Sequence, residues 1–344
     1  MSTGGASFVG LAAVRLVMVL VLLLALWGAL ALWYQAPGAR AVKISSVVLW
    51  LLFCLAMLVA LWQGRIALGM LAFAVVFAGL LVWWQRLPPS NDRLWADDVA
   101  QMTTGTVEAN RVVLHNVRNF DWRSDTDYTQ RWETRRYDLD RLSSVDMILS
   151  YWDMKAIAHV LISFGFDDGD HVVFSVEIRR EKTETFSEIG GFFKEFELSV
   201  IAADERDVVR VRTNVRGEDD YLYRIRIPVS TMRSLFLAYV EQANQLARAP
   251  RFYNTVTVNC TTLVYHMMKH ILGYLPWDVR VLLSGYLPEY VYKVGGLDTR
   301  YSLKELRAFG HITERAHKAD RGASFPAAIR QGIPPLEAAK SAAN

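Results

Sequence analysis

Three long apolar stretches near the N-terminus place the strongest constraint on how this chain can fold. They run from Leu11 to Tyr34, from Ile44 to Trp62 and from Ile66 to Trp84. Each has about the 20 residues that a helix needs to cross the hydrocarbon core of a bilayer. We therefore predict a membrane domain at 1–86 with three transmembrane helices. An odd number of spans places Met1 and the residues after the third span on opposite sides of the membrane.

Charged residues are distributed unevenly between the apolar stretches and the rest of the sequence. Up to Arg86 there are five basic and no acidic residues, out of totals of 38 Lys and Arg and 35 Asp and Glu. The basic excess therefore belongs to the membrane domain, and the remaining sequence is slightly acidic. This composition does not support nucleic-acid binding, and we predict no nucleic-acid partner. The basic residues flanking the spans are too evenly placed to set the orientation.

The sequence from 87 to 312 has the alternating patterns of one α+β domain. A turn-rich connector at 87–92 leads into it, and a helix is predicted from Ser230 to Leu246 with Ser230 as its N-cap. The residues at 313–344, rich in Ala, Arg, Gly and Pro, are predicted to form an edge-packing or frayed tail. Strands, forming an antiparallel sheet of at least five, are predicted at 107–117, 131–139, 145–151, 156–166, 171–180, 195–202, 208–215 and 221–228.

One predicted hairpin brings two polar residues together. The strands 156–166 and 171–180 are joined by an Asp- and Gly-containing turn, which is typical of a tight hairpin. His159 lies in the first strand, which is otherwise apolar, and Glu177 lies in the second. A hairpin closed around 168 and 169 pairs position 159 with about position 178, so Glu177 falls within one residue of His159.

Cys260 is the only cysteine after the apolar stretches, so it has no disulfide partner in its own domain. It stands at the predicted start of a helix that ends at Leu272, with Asn259 as its cap. A thiol in the first turn of a helix lies near the positive end of the helix dipole, which favours the thiolate. A thiolate nucleophile needs a base and a group that orients the base. His159 and Glu177 are the candidates for these two roles.

Simpler interpretations of the same residues remain open. Cys260 can be an inert, packed side chain, and His159 with Glu177 can be a plain hydrogen-bonded pair. His266 and His270 stand four apart, but they lack the Glu of a zinc-protease helix. The acidic hairpin turn lacks the later ligands of a calcium loop. We therefore predict no metal site and no cofactor.

Several short motifs follow one another in order between about Arg111 and Gly273. They are NVRNFDWR at 116–123, YDL at 137–139, His159 with SFGF at 163–166, SVEIR at 175–179, GGF at 190–192, DERD at 204–207, YLYR at 221–224, and YN at 253–254 with NCTT at 259–262. Together these motifs resemble the Lnb N-terminal periplasmic domain family. The ordered set covers most of the region after the apolar stretches.

The resemblance implies a papain-like, circularly permuted cysteine fold of the NlpC/P60 type, in which the His strand precedes the Cys helix. It also implies a domain in the periplasm, and hence a multi-pass protein of the bacterial inner membrane with its N-terminus inside. Members of the family include lipoprotein N-acyltransferases. These enzymes shift an acyl chain from the diacylglyceryl group of a lipoprotein to its N-terminal amine through a cysteine thioester.

By this resemblance Cys260 is the nucleophile and acyl carrier, His159 is the general base and Glu177 orients it. The oxyanion is expected to be stabilised by the Cys260 N–H and the Asn259 side chain.

Residues around these three are expected to complete the site. Asn254 and Tyr253 would support the oxyanion region together with Asn259. The residues expected to contact the substrate are Arg179, Tyr223 and Arg224.

These features predict a membrane-anchored cysteine acyltransferase or acyl hydrolase that acts on lipoprotein or phospholipid acyl chains at the periplasmic face of the inner membrane. Its partner is then a membrane lipid or lipoprotein substrate, and no sequence feature indicates an oligomeric state. Two alternatives stay open. One is a papain-like amidase or peptidase of the cell wall, and the other is a non-catalytic envelope module in which Cys260 only packs.

Overall fold

The computed structural model describes residues 3–336. The chain divides into two compact units. One unit runs to Pro89 and also includes Ser187–Glu195, and the other contains Ser90–Phe186 and the described residues from Phe196 onward. The residues at 337–344 of the predicted tail lie outside the described part.

The first unit is built on three long helices, α1 (Thr3–Gln35), α2 (Arg40–Trp62) and α3 (Ile66–Arg86). Ala12–Gln35 of α1 and the whole of α2 and α3 are long and apolar enough to cross a membrane. The three predicted apolar helices are therefore confirmed, and the second begins four residues earlier than predicted.

Close packing joins α1 to α2. The Trp50 indole N–H donates to the Ala25 carbonyl oxygen over 2.8 Å. A Cβ on Gly28 would lie 2.6 Å from the Trp50 ring, so this approach requires glycine at position 28. The polar edge of a buried tryptophan is thus satisfied inside the helix bundle.

The second unit contains a mixed sheet. Its strands follow the order β1-β2-β9-β8-β7-β6-β10, with β5 pairing on β2 outside this path, while β3 and β4 form a separate two-stranded ribbon. The neighbouring strands are antiparallel except β2 and β9, which pair in parallel where Arg118 meets Ala203. The strands are β1 (Thr104–Glu108), β2 (Arg111–Arg118), β3 (Asp121–Trp122), β4 (Tyr128–Thr129), β5 (Trp132–Asp138), β6 (Leu142–Tyr151), β7 (His159–Phe166), β8 (His171–Arg179), β9 (Glu197–Ala203) and β10 (Asp219–Arg224).

Helices and short turns account for the remaining elements. The helices are α4 (Glu188–Phe192), α5 (Glu205–Arg210), α6 (Val229–Arg248), α7 (Cys260–Leu272), α8 (Leu287–Lys293), α9 (Leu303–Gly310), α10 (Thr313–Ala319) and α11 (Phe325–Ile329), with α4 in the first unit. A π-helical turn at Val211–Val215 continues α5, and 3₁₀ turns lie at Asp97–Val99, Leu139–Arg141, Val279–Val281 and Ser284–Tyr286. The predicted α+β class is confirmed.

The side chains of a strand alternate between the two faces of the sheet. Both faces of this sheet are covered by helices. Phe164 and Phe174 point to the face where Phe236 of α6 packs against both rings at 5.1 and 5.4 Å between centroids. Leu161 and Val173 point to the opposite face, where they pack in one cluster with residues of α5, α10 and α11. The central strands are therefore buried on both sides.

The strands predicted at 131–139, 145–151, 195–202 and 221–228 are confirmed as β5, β6, β9 and β10. The sheet is mixed rather than antiparallel as predicted, because β2 and β9 pair in parallel. The predicted hairpin is confirmed as β7 and β8. The strand predicted at 107–117 is instead two strands, because the chain turns at Ala109, whose φ is +55°. The strand predicted at 208–215 is wrong, since this segment is α5 and its π-helical continuation.

The error at 208–215 has a local cause. Val208, Val209 and Val211 are β-branched and buried, a pattern that favours a strand. The preceding Asp204, however, accepts a hydrogen bond from the Arg206 backbone N–H over 2.9 Å and caps a helix. Burial against the sheet then stabilises the helical conformation despite its poor intrinsic propensity.

The cap predicted for the next long helix is also wrong. α6 begins at Val229, and its N-cap residue is Pro228, which offers no side-chain hydrogen bond. Ser230 lies inside the first turn of this helix.

The described residues after Thr313 pack on the sheet. Phe325 and Ile329 of α11 are fully buried. The following Arg330 donates to Asp146 over 2.9 Å and pairs with Glu205 at 2.6 Å, and both carboxylates are fully buried. A buried arginine thus fixes this part of the chain to the sheet through charge-assisted hydrogen bonds.

Candidate active site

Cys260 is the first residue of α7, and the sequence around it explains why the helix begins there. The Asn259 side-chain oxygen accepts hydrogen bonds from the backbone N–H groups of Thr261 and Thr262 at 3.0 and 2.9 Å. The Thr262 hydroxyl accepts in return from the Asn259 N–H at 2.8 Å. This reciprocal capping box holds the partly buried thiol in the first helical turn.

His159 is the first residue of β7, and the register of the hairpin places it opposite Glu177. Leu161 pairs with Ser175 in this antiparallel hairpin. Two residues further along each strand, away from the turn, His159 therefore stands opposite Glu177. His159 Nε2 lies 3.2 Å from Glu177 Oε1. The structure therefore brings these two predicted residues together.

Ser175 links the histidine and the carboxylate, and the sequence interpretation missed it. Its hydroxyl donates to Glu177 Oε1 over 2.6 Å and lies 2.7 Å from His159 Nε2. Ser175 and Glu177 are two residues apart in one strand, so their side chains share a face. The strand alternation in Ser-Val-Glu was the signal that could have identified the serine.

Cys260 contributes to raising the pKa of His159, so the sulfur and the imidazole are neighbours. Because Glu177 and Ser175 both lie at Nε2, the other ring nitrogen, Nδ1, is available to the thiol. The helix that carries Cys260 and the hairpin that carries His159 and Glu177 thus supply a thiol, an imidazole and a carboxylate in series. This order is the one a thiol nucleophile requires.

The electrostatics of the pair favour an imidazolium beside a carboxylate. Burial lowers the pKa of His159 and Arg212 lowers it further, but the charge of Glu177 and the interactions of the imidazole with Cys260 and Glu177 outweigh both, and the pKa rises to about 9. Burial raises the pKa of Glu177, yet His159 and Arg212 outweigh it and hold that pKa well below its usual range. The histidine is therefore protonated and the glutamate ionised at neutral pH.

Arg212 extends the constellation on the far side of Glu177. This buried side chain lies in the π-helical turn, with its guanidinium 3.4 Å from Glu177 Oε1 and 3.1 Å from Glu218 Oε2. The Ser150 hydroxyl in turn lies within hydrogen-bond distance of both Glu218 and Asp220. Burial raises the pKa of Asp220 to about 7. The sequence interpretation missed Arg212 because the segment around it had been assigned to a strand.

The residues predicted to support the oxyanion have local structural contacts. Asn259 caps α7, and its amide nitrogen donates to the Thr255 carbonyl oxygen over 2.7 Å. The Asn254 side-chain oxygen accepts from the N–H groups of Val256 and Thr257 at 3.1 and 2.9 Å. These bonds shape the loop that leads to Cys260.

Tyr253 lies just before this loop and is half-buried. Its backbone N–H donates to the Phe196 carbonyl oxygen over 3.0 Å, and its side chain packs against the main core. Tyr253 therefore joins the loop to the start of β9.

The three residues predicted to contact substrate do not form one group with the thiol. Arg179 is buried, and its guanidinium donates to the carbonyl oxygens of Val99 and Ala100 and to Asn91 Oδ1 at 2.8–3.0 Å. It also stacks over the Trp95 ring at 4.4 Å. These contacts give Arg179 a structural role in holding the segment at 91–100.

Tyr223 and Arg224 lie together at the end of β10. Tyr223 is buried in the main core, and burial raises the pKa of its hydroxyl. Arg224 is partly buried, with Nε 4.0 Å from Asp146 Oδ1. Both residues line a small cavity bounded by Leu297, Tyr301 and other apolar side chains.

Exposed apolar side chains lie on a segment that touches both halves of the site. The Val281 carbonyl accepts from the Thr261 hydroxyl over 2.5 Å, next to the thiol. The Ser284 hydroxyl accepts from the Ala158 N–H over 2.9 Å, next to the imidazole. We call the segment at 272–286, which includes the last residue of α7, the apolar rim. Its exposed members are Leu272, Tyr274, Trp277, Val279, Leu283 and Tyr286.

No group of three or more His, Cys, Asp and Glu side chains capable of holding a metal ion occurs within residues 3–336. His266 and His270 are exposed on α7.

One protein family matches part of the chain. Residues 128–285 match the family model of the Lnb N-terminal periplasmic domain, so the resemblance given by the sequence motifs is confirmed. The match contains His159, Glu177 and Cys260. With the apolar helices that precede it, this family places the chain among membrane-anchored proteins with a periplasmic domain. No curated protein and no solved structure matches the chain.

Proposed function

We propose that this protein is a cysteine acyltransferase or acyl hydrolase of the bacterial inner membrane that carries an acyl group on Cys260 as a thioester. The observation that carries the proposal is the series Cys260, His159 and Glu177 on helix α7 and the β7–β8 hairpin. A partly buried carboxylate that holds an imidazolium next to a cysteine sulfur at a helix N-terminus is an arrangement suited to nucleophilic attack.

The proposed first step transfers the acyl group from an ester. The Cys260 thiolate attacks the ester carbonyl, forming the C–S bond, and the C–O bond to the leaving alcohol breaks. The His159 imidazolium supplies the proton that the departing alkoxide takes up. The product is a thioester, with neutral imidazole beside it and Glu177 fixing the ring.

The second step transfers the acyl group to an amine or to water. The acceptor attacks the thioester carbonyl while His159 removes its proton, and the C–S bond breaks to regenerate the thiolate and imidazolium. Of the N–H groups in the first turn of α7, those of Thr261 and Thr262 are taken by Asn259. The Cys260 N–H is therefore the donor that we expect to stabilise the oxyanion.

Two features favour a lipid-linked acyl group. The chain has three helices able to span a membrane, which an enzyme for soluble peptides does not need. The apolar rim contacts the neighbours of Cys260 and His159 through Val281 and Ser284, and its exposed hydrophobic side chains offer a surface suited to a hydrocarbon chain. The order of the His strand before the Cys helix is also that of the permuted papain-like enzymes to which we assign the domain.

Intact-mass spectrometry tests this proposal directly. The detergent-purified full chain is incubated with a phospholipid or a diacylated lipopeptide and then analysed before and after neutral hydroxylamine. We expect an added acyl mass that hydroxylamine removes. The adduct should be absent from Cys260→Ala and present in the matched control Cys54→Ala, since Cys54 lies in α2.

The same measurement distinguishes the alternatives. An adduct that persists in Cys260→Ala, or no adduct with either donor, contradicts the acyl-carrier role. Cleavage of muropeptides by the unmodified protein would instead support a cell-wall amidase.

A further inference from the structure

The segment Ser187–Glu195 belongs to the unit of the apolar helices, although in sequence it connects two strands of the sheet. It contains the short helix α4 (Glu188–Phe192), whose first turn is capped by the Ser187 hydroxyl accepting from the Gly190 N–H over 2.9 Å. The contacts of this segment within its unit indicate its environment.

The C-terminal end of α1 holds the segment through polar and aromatic contacts. Gln35, the last residue of α1, donates from Nε2 to the carbonyl oxygens of Phe193 and Lys194 over 3.0 and 2.7 Å. The Tyr34 hydroxyl lies 3.2 Å from Ser187 Oγ. The rings of Tyr34 and Phe193 stack with centroids 5.8 Å apart.

The C-terminal end of α3 contributes a second set of contacts. Lys194 Nζ donates to the Trp84 carbonyl oxygen over 2.6 Å and lies 4.9 Å from the centre of the Trp84 ring. Phe193 meets the Trp84 and Trp27 rings at 6.1 and 6.4 Å. Tyr and Trp at helix ends, with a nearby lysine, are the side chains typical of the membrane–water interface. The segment is therefore fixed at the level where α1 and α3 leave the bilayer.

Two large apolar side chains of α4 are exposed. Ile189 is 53% exposed and Phe192 is 45% exposed. Their spacing of three places them on one face of the helical turn. In water, an isoleucine and a phenylalanine on one short helix are unfavourable, whereas at the edge of the hydrocarbon region they are buried among acyl chains.

We propose that Ser187–Glu195 is an interfacial membrane anchor, with Ile189 and Phe192 inserted into the acyl-chain boundary of the bilayer that the three helices span. The occupant of this apolar face is membrane lipid, because the segment is held against α1 and α3, helices that carry their own exposed apolar side chains. The anchor does not depend on the chemistry proposed for Cys260.

Site-directed spin labelling tests the anchor. Single cysteines at Ile189 and Phe192, in a Cys54→Ala, Cys260→Ala background, are labelled with a nitroxide. The full chain is then reconstituted in vesicles of phosphatidylethanolamine and phosphatidylglycerol. Reference labels are placed at Leu22, an exposed position within α1, and at Glu108, an exposed position at the end of β1.

The readout is the ratio of collision rates with oxygen, which concentrates in lipid, and with a water-soluble nickel chelate. At 189 and 192 we expect a ratio several-fold above that of the Glu108 label and closer to that of the Leu22 label. A ratio equal to that at Glu108 means that the face is in water and overturns the anchor. Labels shielded from both reagents indicate a protein partner instead and also overturn it.

Discussion

The charge of Glu177 should set the protonation of His159, and Glu177→Gln tests this with almost no change in shape. In the native site the pKa of His159 is raised from its ordinary value of 6.5 to about 9. At about 1.4 kcal/mol per pH unit, this difference corresponds to about 3 kcal/mol of preference for the imidazolium. In the variant, burial and Arg212 remain, and both lower the pKa. We therefore expect His159 to titrate at about 6.5 or below.

Histidine-selective ¹³C NMR of the detergent-solubilised protein measures this titration without a substrate. The His159 signal is assigned by its loss in His159→Gln. Glu108→Gln, a neutralised carboxylate at an exposed position, is the matched control and should leave the titration near 9. A His159 pKa that stays near 9 in Glu177→Gln would refute the assignment of Glu177 as its charge partner.

The raised pKa of His159 also has a consequence for stability. A group whose folded pKa is raised stabilises the fold fully below its unfolded value, here 6.5, and this contribution is lost as the pH rises through about 9. The thermal midpoint of the wild-type domain should therefore fall between these values. In Glu177→Gln this fall should be absent, and an unchanged fall would contradict the linkage.

Three further substitutions test contacts around the site. Ser175→Ala removes a hydroxyl that contacts both the imidazole and the carboxylate. In urea unfolding it should lower the free energy of unfolding by about 1–3 kcal/mol. Intact-mass measurements should show slower formation of the acyl adduct. Asp207→Ala leaves the buried Arg118 guanidinium without the carboxylate it meets at 2.9 Å. It should cost about 3–5 kcal/mol in urea unfolding, and a cost below 1 kcal/mol would show that the pair is solvated. Asn259→Ala should destabilise the domain by about 1 kcal/mol, with Asn259→Ser retaining most of the stability, because serine can also cap the helix that begins at Cys260.

The main parts of the site could be predicted because each depends on a local rule. The turn residues at 167–170 fixed the hairpin, and the hairpin register then placed His159 near Glu177 to within one residue. Asn259 followed by threonines marked the start of a helix at Cys260, where the structure has it. Neither step required knowledge of distant contacts.

The residues that were missed depend on contacts between distant segments. Arg212 reaches Glu177 because a valine-rich segment is helical, and the side chains that stabilise this helix come from elsewhere in the fold. Asp207 illustrates the same point. It stands in the charged DERD motif at 204–207, yet it is fully buried and accepts hydrogen bonds from Arg118 and the Trp122 indole. A charged residue gives no local sign of a partner that lies far away in sequence.

The buried Arg330 has a consequence for the order in which the domain can be completed during synthesis. Its partner Asp146 precedes it by 184 positions. Until Arg330 has been made and exported, Asp146 and Glu205 lack the guanidinium that neutralises them inside the sheet, and unpaired buried carboxylates oppose compaction. Because the chain is made from its N-terminus, the domain should remain susceptible to proteases, and accessible to chaperones, until α11 and Arg330 have crossed the membrane.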